Sequence, residues 1–360
     1  MSQAFARLSF LFIVLFAKVV LAQSFISSPT TPPEFCVQNF NAYGPAYASN
    51  VRERTERFTM FLQAMPKCDV VQLQEAWNGS QIDIIESNLD QQYVISSPNR
   101  DSRIGLMSLV MGDIFGRLTA NFQVNNDGGF MDGIRDSFNV KKAYHVLIAR
   151  PGLIEEDFFF LNTHLHPASP AVRLTQILEL LLWRLANQQH KLIFTGDINA
   201  DIGSLERRFL MQLLGLHDAM EEYFGAYPKG YCTYCAANPL GWMSEDHTFD
   251  YVLFSNVGQT GATLQATHGE VNMRGSQRQP WSDHYGVRVK LAVLNTEIIP
   301  LRAEQENRRV AILQVLKEAE AVLAKEKSRD FRPFVSMTQD LAKQLENQQG
   351  PFFDYVQAYR

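Results

Sequence analysis

The segment KLIFTGDINAD, residues 191–201, sets an apolar run directly against a polar turn. Leu192, Ile193 and Phe194, bounded by glycine, predict a buried strand over 192–195. Asp197 and Asn199 follow two residues apart and point to the same side, because side chains alternate along extended chain. A carboxylate at the end of a buried strand is costly unless a cation or a catalytic partner compensates it. The alternative is a turn in which both side chains only cap the loop.

The same pattern recurs at the ends of other predicted strands. The polar residues that adjoin these strands are Asn41, Glu75, His164, Asp197, Asn199, Asp250, Asp283 and His284. One such residue is typical of a turn. A set drawn repeatedly from Asn, Glu, His and Asp indicates a single site where the strands converge.

Hydrolysis of a phosphate ester, assisted by a hard divalent cation, is the chemistry that fits these residue types. Carboxylate and amide oxygens suit Mg²⁺ better than Zn²⁺, and the set has no clustered cysteines. A histidine backed by a carboxylate can take a proton from water near neutral pH. A second histidine and an asparagine can hold phosphoryl oxygens and favour the charge of the transition state.

The chain from about residue 35 to 294 alternates short apolar strands with helical stretches. Several predicted strands lie too close together for helical crossovers, which indicates mixed sheets rather than one parallel sheet. The predicted strands are Val70–Leu73, Leu106–Met111, Ala143–Ala149, Phe158–Leu161, Leu192–Thr195, Tyr251–Phe254 and Gly286–Leu291. Amphipathic helices are predicted over Val51–Met65 and Val172–Leu185.

The first residues have the pattern of a secretory signal peptide. Arg7 precedes an apolar run, and the small residues around Ala22 suit cleavage there, so we expect residues 1–22 to be removed. Lys18 interrupts the run, which makes a membrane-spanning helix the weaker alternative. Residues 23–34 contain Ser, Thr and three prolines and predict a flexible leader. We therefore expect a secreted or periplasmic protein.

Charge and cysteine content bound the function further. The formal net charge is −5 with no strongly basic block, which leans against a nucleic-acid partner without excluding a basic groove. Export makes disulfides plausible, and four cysteines allow three pairings. A redox or zinc role for the CTYC stretch is the alternative, but no second pair lies at finger spacing. We expect a bond between Cys232 and Cys235, and one between Cys36 and Cys68.

Residues 295–360 predict a helical C-terminal extension. Arg302–Lys327 is rich in Glu, Lys and Ala, with a narrow apolar stripe formed by Val310, Leu313, Leu316, Val322 and Leu323. A second helix is predicted to begin at Ser336, where the spacing is that of a capping box. Such helices can dimerise through a heptad seam. We expect this one to pack on its own domain, in a monomer.

The order of these motifs resembles the endonuclease/exonuclease/phosphatase superfamily over residues 40–291. The motifs are Asn41, Gln74-Glu75, Thr163-His164, Gly196-Asp197-Ile198-Asn199, Asp250-Tyr251 and Ser282-Asp283-His284. The resemblance implies a DNase I-like catalytic domain over 35–294. Its fold would be a four-layer α/β/β/α sandwich of two packed mixed β-sheets, with the site at the strand ends.

The resemblance also implies roles for the metal and the base. Glu75 would be the main Mg²⁺ ligand, helped by Asn41, and Asp283 would lie beside the metal. His284 would be the general base, oriented by Asp250.

The remaining motif residues would handle water and phosphate. Asp197 would position the attacking water, while Asn199 and His164 would hold the phosphate. His166 follows His164 by two residues, so it either touches substrate or is a solvated loop histidine. His247 lies near the catalytic carboxylates in sequence and is a candidate to support them from a second layer.

Within the superfamily, the sequence is most similar to neutral sphingomyelinases. The similar stretches are LQEAW (73–77), KKAY (141–144), NTHLH (162–166), NPL (238–240) and SDHY (282–285). They imply a phospholipid substrate, cleaved into a phosphorylated head group and a lipid alcohol, with transient membrane contact. Arg103-Ile104-Gly105 replaces the glycine pair common in such enzymes, and no long aromatic hairpin is present. Trp242 and Trp281 are candidates for a smaller apolar lip.

Two alternative functions remain open at this stage. A secreted endonuclease would use the same residues on DNA or RNA, and Arg100, Arg103 and the loop Arg274–Arg278 offer it positive charge. A non-catalytic binding protein on the same fold is the other alternative. It is disfavoured because a site released from chemistry has no reason to keep costly polar groups together.

Overall fold

The computed structural model describes residues 31–44, 51–77, 79–97, 104–125, 143–152, 154–257, 263–294 and 302–358. Glu34–Arg360 form one unit, and of the residues before it only 31–33 are described. The predicted signal peptide, most of the leader, Arg100, Arg103 and the KK of the KKAY stretch lie outside the described residues. The domain boundaries at 35, 294 and 295 stay a prediction.

The strands and helices are numbered along the chain. The strands are β1 (Glu34–Gly44), β2 (Val70–Ala76), β3 (Val94–Ser96), β4 (Met107–Val110), β5 (Gly112–Asn121), β6 (Ala143–Pro151), β7 (Phe158–His164), β8 (Lys191–Asp197), β9 (His217–Asp218), β10 (Asp250–Ser255), β11 (Thr263–Asn272) and β12 (Gly286–Leu294). The helices are α1 (Val51–Ala64), α2 (Gly79–Asn88), α3 (Pro170–Ala186), α4 (Leu205–Leu214), α5 (Ala219–Phe224), α6 (Arg302–Leu323), α7 (Arg332–Glu346) and α8 (Pro351–Gln357).

The described strands form two mixed sheets. Sheet A has the order β11-β12-β1-β2-β4-β3, and sheet B has the order β5-β6-β7-β8-β10-β9. The two central strands of each sheet run parallel, β1 with β2 and β7 with β8. Their other neighbours are antiparallel. The prediction of mixed sheets is therefore confirmed.

The two sheets pack face to face around a common apolar core. Phe35 of sheet A lies with its ring centroid 5.1 Å from that of Phe158 in sheet B, and Val289 and Val252 join the same core. Burying a side chain of this size contributes about 1.5–3 kcal/mol. The inner faces of both sheets thereby form the middle of the sandwich.

Helices cover the outer face of each sheet. Phe58 and Phe61 of α1 pack with Phe40 of sheet A, and Ile82 of α2 belongs to the same cluster. On sheet B, the apolar faces of α3 and α4 form the opposite helical layer. The predicted four-layer α/β/β/α sandwich is confirmed.

The C-terminal helices add to the layer on sheet B. Ile312, Leu316 and Leu323 of α6 are buried in the same core as α3 and α4, whereas Val310 remains 54% exposed. The predicted apolar stripe is therefore confirmed at Leu313, Leu316, Val322 and Leu323, which are buried or packed against this core, and only Val310 departs from it. The prediction that α7 begins at Ser336 was wrong. It begins at Arg332, because a short 3₁₀ turn leads into it and proline is tolerated in a first helical turn.

Two disulfides lie in the described residues. One joins Cys36 to Cys68, tying β1 to the entry of β2, and the other joins Cys232 to Cys235. Both predicted pairs are therefore confirmed. Disulfides of this kind persist in oxidising compartments. Among the described helices, none combines the length and apolar character needed to cross a bilayer.

Candidate active site

The polar residues meet because of strand direction and register. β1, β2, β7 and β8 end at the same edge of the sandwich at which β10 and β12 begin, and we call this edge the polar edge. Strand pairing sets His164 of β7 beside Asp197 of β8, and Asp250 of β10 on the other side of Asp197. Backbone register alone therefore brings three of the predicted residues together.

Asp197 is the point at which both sheets meet. Its Oδ2 atom accepts a hydrogen bond from Asn41 Nδ2 at 3.0 Å and lies 3.1 Å from His164 Nε2. His284 Nε2 approaches the same oxygen at 3.6 Å. Asn41 and His284 come from sheet A and its connecting loop, whereas His164 and Asp197 come from sheet B. The site consequently spans the interface between the sheets.

His284 is held by Asp250 on the other edge of its ring. The Nδ1 atom lies 2.7 Å from Asp250 Oδ2, and both side chains are buried. Burial lowers the pKa of His284, but the negative charges of Asp250, Asp197 and Asp283 outweigh burial and raise it to about 10. The bond at Nδ1 fixes the ring with Nε2 directed toward Asp197.

The loop before β12 places His284 through Ser282. The Ser282 hydroxyl donates to the Asn41 carbonyl at 2.6 Å, and the His284 backbone N–H donates to that hydroxyl at 3.1 Å. Serine side chains commonly stabilise turns in this way. The same contact therefore joins this loop to the end of β1, where Asn41 lies.

Two site residues have left-handed backbone conformations. Glu75 has φ 59° and Asn199 has φ 50°. Asparagine tolerates this region, but glutamate rarely adopts it, and such a residue costs about 1–3 kcal/mol. The Asn199 backbone N–H donates to Asp197 Oδ1 at 2.9 Å, while its side-chain Nδ2 donates to the Leu165 carbonyl at 3.0 Å. Strain of this kind concentrates at functional sites.

Gly196 is required by the close approach of β7 to β8. A Cβ atom at this position would lie 2.2 Å from the Thr163 carbonyl oxygen, well inside van der Waals contact. Any other residue would force the strands apart just before Asp197. The glycine that bounded the predicted strand therefore serves the site as well as the turn.

The two further histidines have different surroundings. His166 is 3% exposed, and its Nδ1 accepts from the backbone N–H groups of Ala168 and Ser169. The alternative of a solvated loop histidine is wrong, because the side chain supports the turn into α3. His247 lies 2.9 Å from Asp201 and stacks on the ring of Phe249. Since Phe249 contacts His284 at 6.5 Å between centroids, His247 lies one layer behind the site.

A buried row of amides that was not predicted lies beneath the site. Gln74 Nε2 donates to Asn39 Oδ1 at 2.8 Å in sheet A and to Asn162 Oδ1 at 2.7 Å in sheet B. Asn162 in turn donates to the carbonyls of Leu73 and Met107. Gln74 and Asn162 belong to the quoted motifs, so their alternation with apolar neighbours was the available signal. The row bonds the two sheets directly below the polar edge.

The surroundings of the site offer one apolar and one basic group. Trp242 is 79% exposed, and its backbone N–H donates to the Tyr234 hydroxyl at 2.8 Å. Trp281 instead packs partly buried against sheet A, so only one of the two predicted lip residues is exposed. The Arg274 guanidinium lies 5.1 Å from the ring centroid of Tyr285, the residue after His284.

The residues expected to hold a cation fit that task. Asn41 Nδ2 lies 3.5 Å from Glu75 Oε1, so the amide and the carboxylate share one corner of the polar edge. Burial raises the pKa of Asp283, the charge of His284 lowers it, and the charges of Glu75 and Asp197 raise it further, to about 7. A divalent cation would relieve this mutual repulsion, and oxygen donors suit a hard ion. A second group close enough to bind a cation consists of Asp197, Asp250 and His284. The short hydrogen bond between Asp250 and His284 already engages two of these three side chains.

No protein-family model matches the chain, and no curated protein matches it in sequence. The fold itself has clear counterparts among solved structures. An endonuclease/exonuclease/phosphatase family protein from Bacteroides thetaiotaomicron matches with a TM-score of 0.53 and 16% identity, over 73% of this chain and 98% of its own. The chain therefore has the DNase I-like fold of that superfamily, as the resemblance predicted.

Two further solved structures share this fold, one a sphingomyelinase and the other a protein bound to a DNA product. Sphingomyelinase C from Streptomyces griseocarneus matches with a TM-score of 0.52 and 17% identity, over 72% of this chain and 99% of its own. TDP2 from D. rerio, complexed with a single-strand DNA product, matches with a TM-score of 0.54 and 18% identity, over 72% and 98%. At these identities the likeness shows the fold and not the substrate.

Proposed function

We propose that the chain is a magnesium-dependent phosphodiesterase whose active site is the polar edge. The observation that carries the proposal is the series of contacts from Asp250 through His284 to Asp197, with His164 and Asn41 on the same carboxylate oxygen. A carboxylate–imidazole pair of this kind orients a general base. A non-catalytic protein would have no use for so many buried ionisable groups in contact.

His284 acts as the base in this proposal. Nε2 accepts a proton from the attacking water, and water attacks phosphorus in line with the departing alcohol. Asp250 holds the ring at Nδ1 and stabilises the imidazolium that forms. Asp197, 3.6 Å from Nε2, aligns the water between the two sheets. The alkoxide takes a proton from solvent as it leaves.

His164 and Asn199 hold the phosphoryl oxygens. His164 is fixed by Asp197, and Asn199 is fixed through its own backbone N–H on the same carboxylate. Donors that are already in position cost no reorganisation when negative charge builds up in the transition state. Both residues therefore stabilise the transition state more than the bound substrate.

Glu75, Asn41 and Asp283 would hold the magnesium ion. When bound there, the ion would neutralise phosphate charge and lower the pKa of His284 toward the range in which the imidazole can act as a base. The strained backbone of Glu75 fits a carboxylate held in place for this purpose.

A phospholipid of the sphingomyelin type is the substrate we favour. The resemblance of LQEAW, NTHLH and SDHY to neutral sphingomyelinases points to it, and the exposed indole of Trp242 supports it. An aromatic ring beside a catalytic opening suits the interface of a bilayer, where it can contact lipid transiently. The products would be a phosphorylated head group and a lipid alcohol.

Nucleic acid is the second candidate substrate. The Arg274 guanidinium over Tyr285 places positive charge one residue from His284, where the backbone of DNA or RNA would benefit from it. An endonuclease would keep every role assigned above and change only the surface that surrounds the site.

We further propose that the protein is exported as a monomer. The disulfides suit an oxidising compartment. The apolar face of α6 is used within the chain, which leaves little for a heptad seam. The first 22 residues would be the signal that directs export, and 35–294 the catalytic domain.

Paired substrate assays test the proposal. The mature protein and its His284→Ala variant are incubated separately with sphingomyelin vesicles and with plasmid DNA, in magnesium or in chelator. Magnesium-dependent phosphocholine release with intact DNA supports the lipid substrate. Nicked DNA with untouched vesicles moves the function to the nuclease. No hydrolysis of either substrate contradicts the proposed function.

A further inference from the structure

The loop closed by the Cys232–Cys235 disulfide lies directly behind the catalytic pair. Its two central residues, Thr233 and Tyr234, are buried although the loop belongs to no sheet. Neither residue was singled out from the sequence. Both contact the segments that carry Asp250 and His284.

Thr233 is hydrogen-bonded to both of those segments. Its hydroxyl oxygen accepts from the backbone N–H groups of Phe249 and Asp250, at 3.0 and 3.1 Å. Its carbonyl oxygen accepts from the Tyr285 N–H at 2.7 Å, immediately after His284. One buried residue therefore fixes the start of β10 relative to the loop that enters β12.

Tyr234 contacts the imidazole itself. Its ring meets the ring of His284 edge-on, with centroids 4.9 Å apart and an interplanar angle of 76°. Its backbone pairs with His247, and its hydroxyl accepts from the Trp242 N–H. The tyrosine is therefore held at three points while its ring limits rotation of the histidine.

We propose that Thr233 and Tyr234 are positioning residues for the Asp250–His284 pair, and that the Cys232–Cys235 disulfide holds them in place. This inference rests on the proposed function for its kinetic consequence. It also has a structural consequence that needs no substrate. Without the loop, the Asp250 and His284 side chains remain present but lose the fixed separation of 2.7 Å between Oδ2 and Nδ1.

Thr233→Val and Thr233→Ser provide a matched test. Valine keeps the shape but leaves two buried backbone N–H groups without an acceptor, whereas serine keeps the hydroxyl. The first measurement is the downfield proton resonance of the His284 Nδ1–H bond, assigned by its loss in His284→Ala. We expect the signal in the wild-type protein and in Thr233→Ser, and its loss in Thr233→Val. Circular dichroism reports whether each variant is folded.

Kinetics on the substrate found in the paired assays give the second measurement. We expect Thr233→Val to lower kcat by about 10- to 100-fold with KM within about twofold, and Thr233→Ser to restore most of the rate. In a His284→Ala background, Thr233→Val should cost nothing more, because both changes remove the same interaction.

Two outcomes would overturn the inference. A folded Thr233→Val with an unchanged Nδ1–H signal shows that the loop does not position the pair. A kcat loss of equal size in the His284→Ala background shows that Thr233 acts on stability alone. If Thr233→Val does not fold, Tyr234→Leu takes its place, since it removes the ring contact and keeps the backbone bonds, and the same results decide. A wild-type protein that shows the signal but hydrolyses nothing contradicts the proposed function and leaves the structural part of this inference standing.

Discussion

Asp250 and Asp197 contact opposite edges of the same imidazole ring. Asp250 Oδ2 lies 2.7 Å from His284 Nδ1, and Asp197 Oδ2 lies 3.6 Å from Nε2. β10 and β8 are paired so that these two aspartates face each other across the strands. One strand pair thus supplies both the group that orients the base and the group that faces its reactive nitrogen.

Replacing Asp250 with asparagine should remove the orienting charge and keep the shape. We expect kcat to fall by about 10²- to 10⁴-fold, because the imidazole loses its preferred tautomer and the partner of its positive charge. Steady-state kinetics measure the effect. Asp246→Asn is the matched control, since Asp246 is exposed in the segment before β10 and asparagine can still accept from the Ala236 N–H, so kcat should be unchanged. Equal rates for both variants would remove Asp250 from the mechanism.

Glu75→Gln should weaken magnesium binding more than it weakens the fold. The amide keeps the size of the side chain but removes the negative charge that a hard cation prefers. We expect the magnesium concentration for half-maximal activity to rise by about tenfold or more, and titration calorimetry to show the same loss directly. Glu86→Gln, on the exposed face of α2, serves as the control. Unchanged magnesium affinity in Glu75→Gln would place the ion elsewhere.

Trp242→Ala should separate action on membranes from chemistry. Because the indole is exposed and the Trp242 backbone donates to Tyr234, whose ring contacts His284, we expect the variant to bind sphingomyelin vesicles at least about fivefold more weakly, with little change on a soluble phosphodiester. Vesicle sedimentation and the two assays measure this. Leu182→Ala removes an exposed apolar side chain from α3, in the helical layer on sheet B, and should change neither. Equal losses on both substrates for Trp242→Ala would argue against a lipid-contacting role.

His145 should make folding sensitive to acid. It lies between Ser96 of sheet A and Thr119 of sheet B, and burial chiefly lowers its pKa from 6.5 to about 4. Between pH 6.5 and 4, His145 therefore binds a proton in the unfolded chain but remains neutral in the folded chain. Burial of the neutral histidine costs the protein no stability above pH 6.5. About 3 kcal/mol of the free energy of unfolding is lost as the pH falls from 6.5 through 4.

Unfolding by urea at pH 7.5 and pH 4.5 measures this linkage. We expect His145→Gln to show a smaller loss of unfolding free energy between the two pH values than the wild-type protein. His268→Gln, at a half-buried histidine near the surface of β11, should behave as wild type. An identical pH dependence in His145→Gln and the wild-type protein would contradict the role of burial.

Leu316→Ala should destabilise the protein through the packing of α6. The side chain is fully buried against the helices of sheet B, so its truncation leaves a cavity and should cost about 2–5 kcal/mol of unfolding free energy. Val310→Ala, on the exposed face of the same helix, should cost little. Denaturant titrations compare the two. A larger effect at Val310 than at Leu316 would contradict the packing of α6 on this layer through Leu316.

The strand pattern was sufficient to predict mixed sheets and the residues at the strand ends, whereas the packing of two such sheets was implied by the resemblance. The reason is physical: buried strands such as β8 are continuous apolar runs, and a polar residue at their ends stands out against them. The edge strand β5 was not predicted, because it is half exposed and contains Gly, Asp and Asn, which disfavour strands. The start of α7 was missed because Pro333 suggests a break in a helix, whereas proline fits the first turn of one.

Contacts between distant segments could not be predicted in this way. Thr233 and Asp250 are joined by a hydrogen bond between the disulfide loop and β10, and Gln74 and Asn162 are joined across the two sheets. Alternation with apolar neighbours places Gln74 and Asn162 on one face of their strands. The partner of each contact cannot be predicted from such a pattern, because it depends on how the loops and sheets pack. The exposure of Val310 within the predicted stripe of α6 has the same origin, since tertiary packing decides which residues at the end of a stripe are covered.

The rate of magnesium-dependent hydrolysis by His284→Ala, compared with the wild-type protein and with His268→Ala, tests the central claim most directly. The measurement uses sphingomyelin vesicles and plasmid DNA, so that it does not depend on which substrate is preferred. We expect the wild-type protein and His268→Ala to hydrolyse one of the two at equal rates. His284→Ala should remain folded and lose at least about 100-fold in kcat. Full activity in a folded His284→Ala would contradict the assignment of the polar edge as the active site.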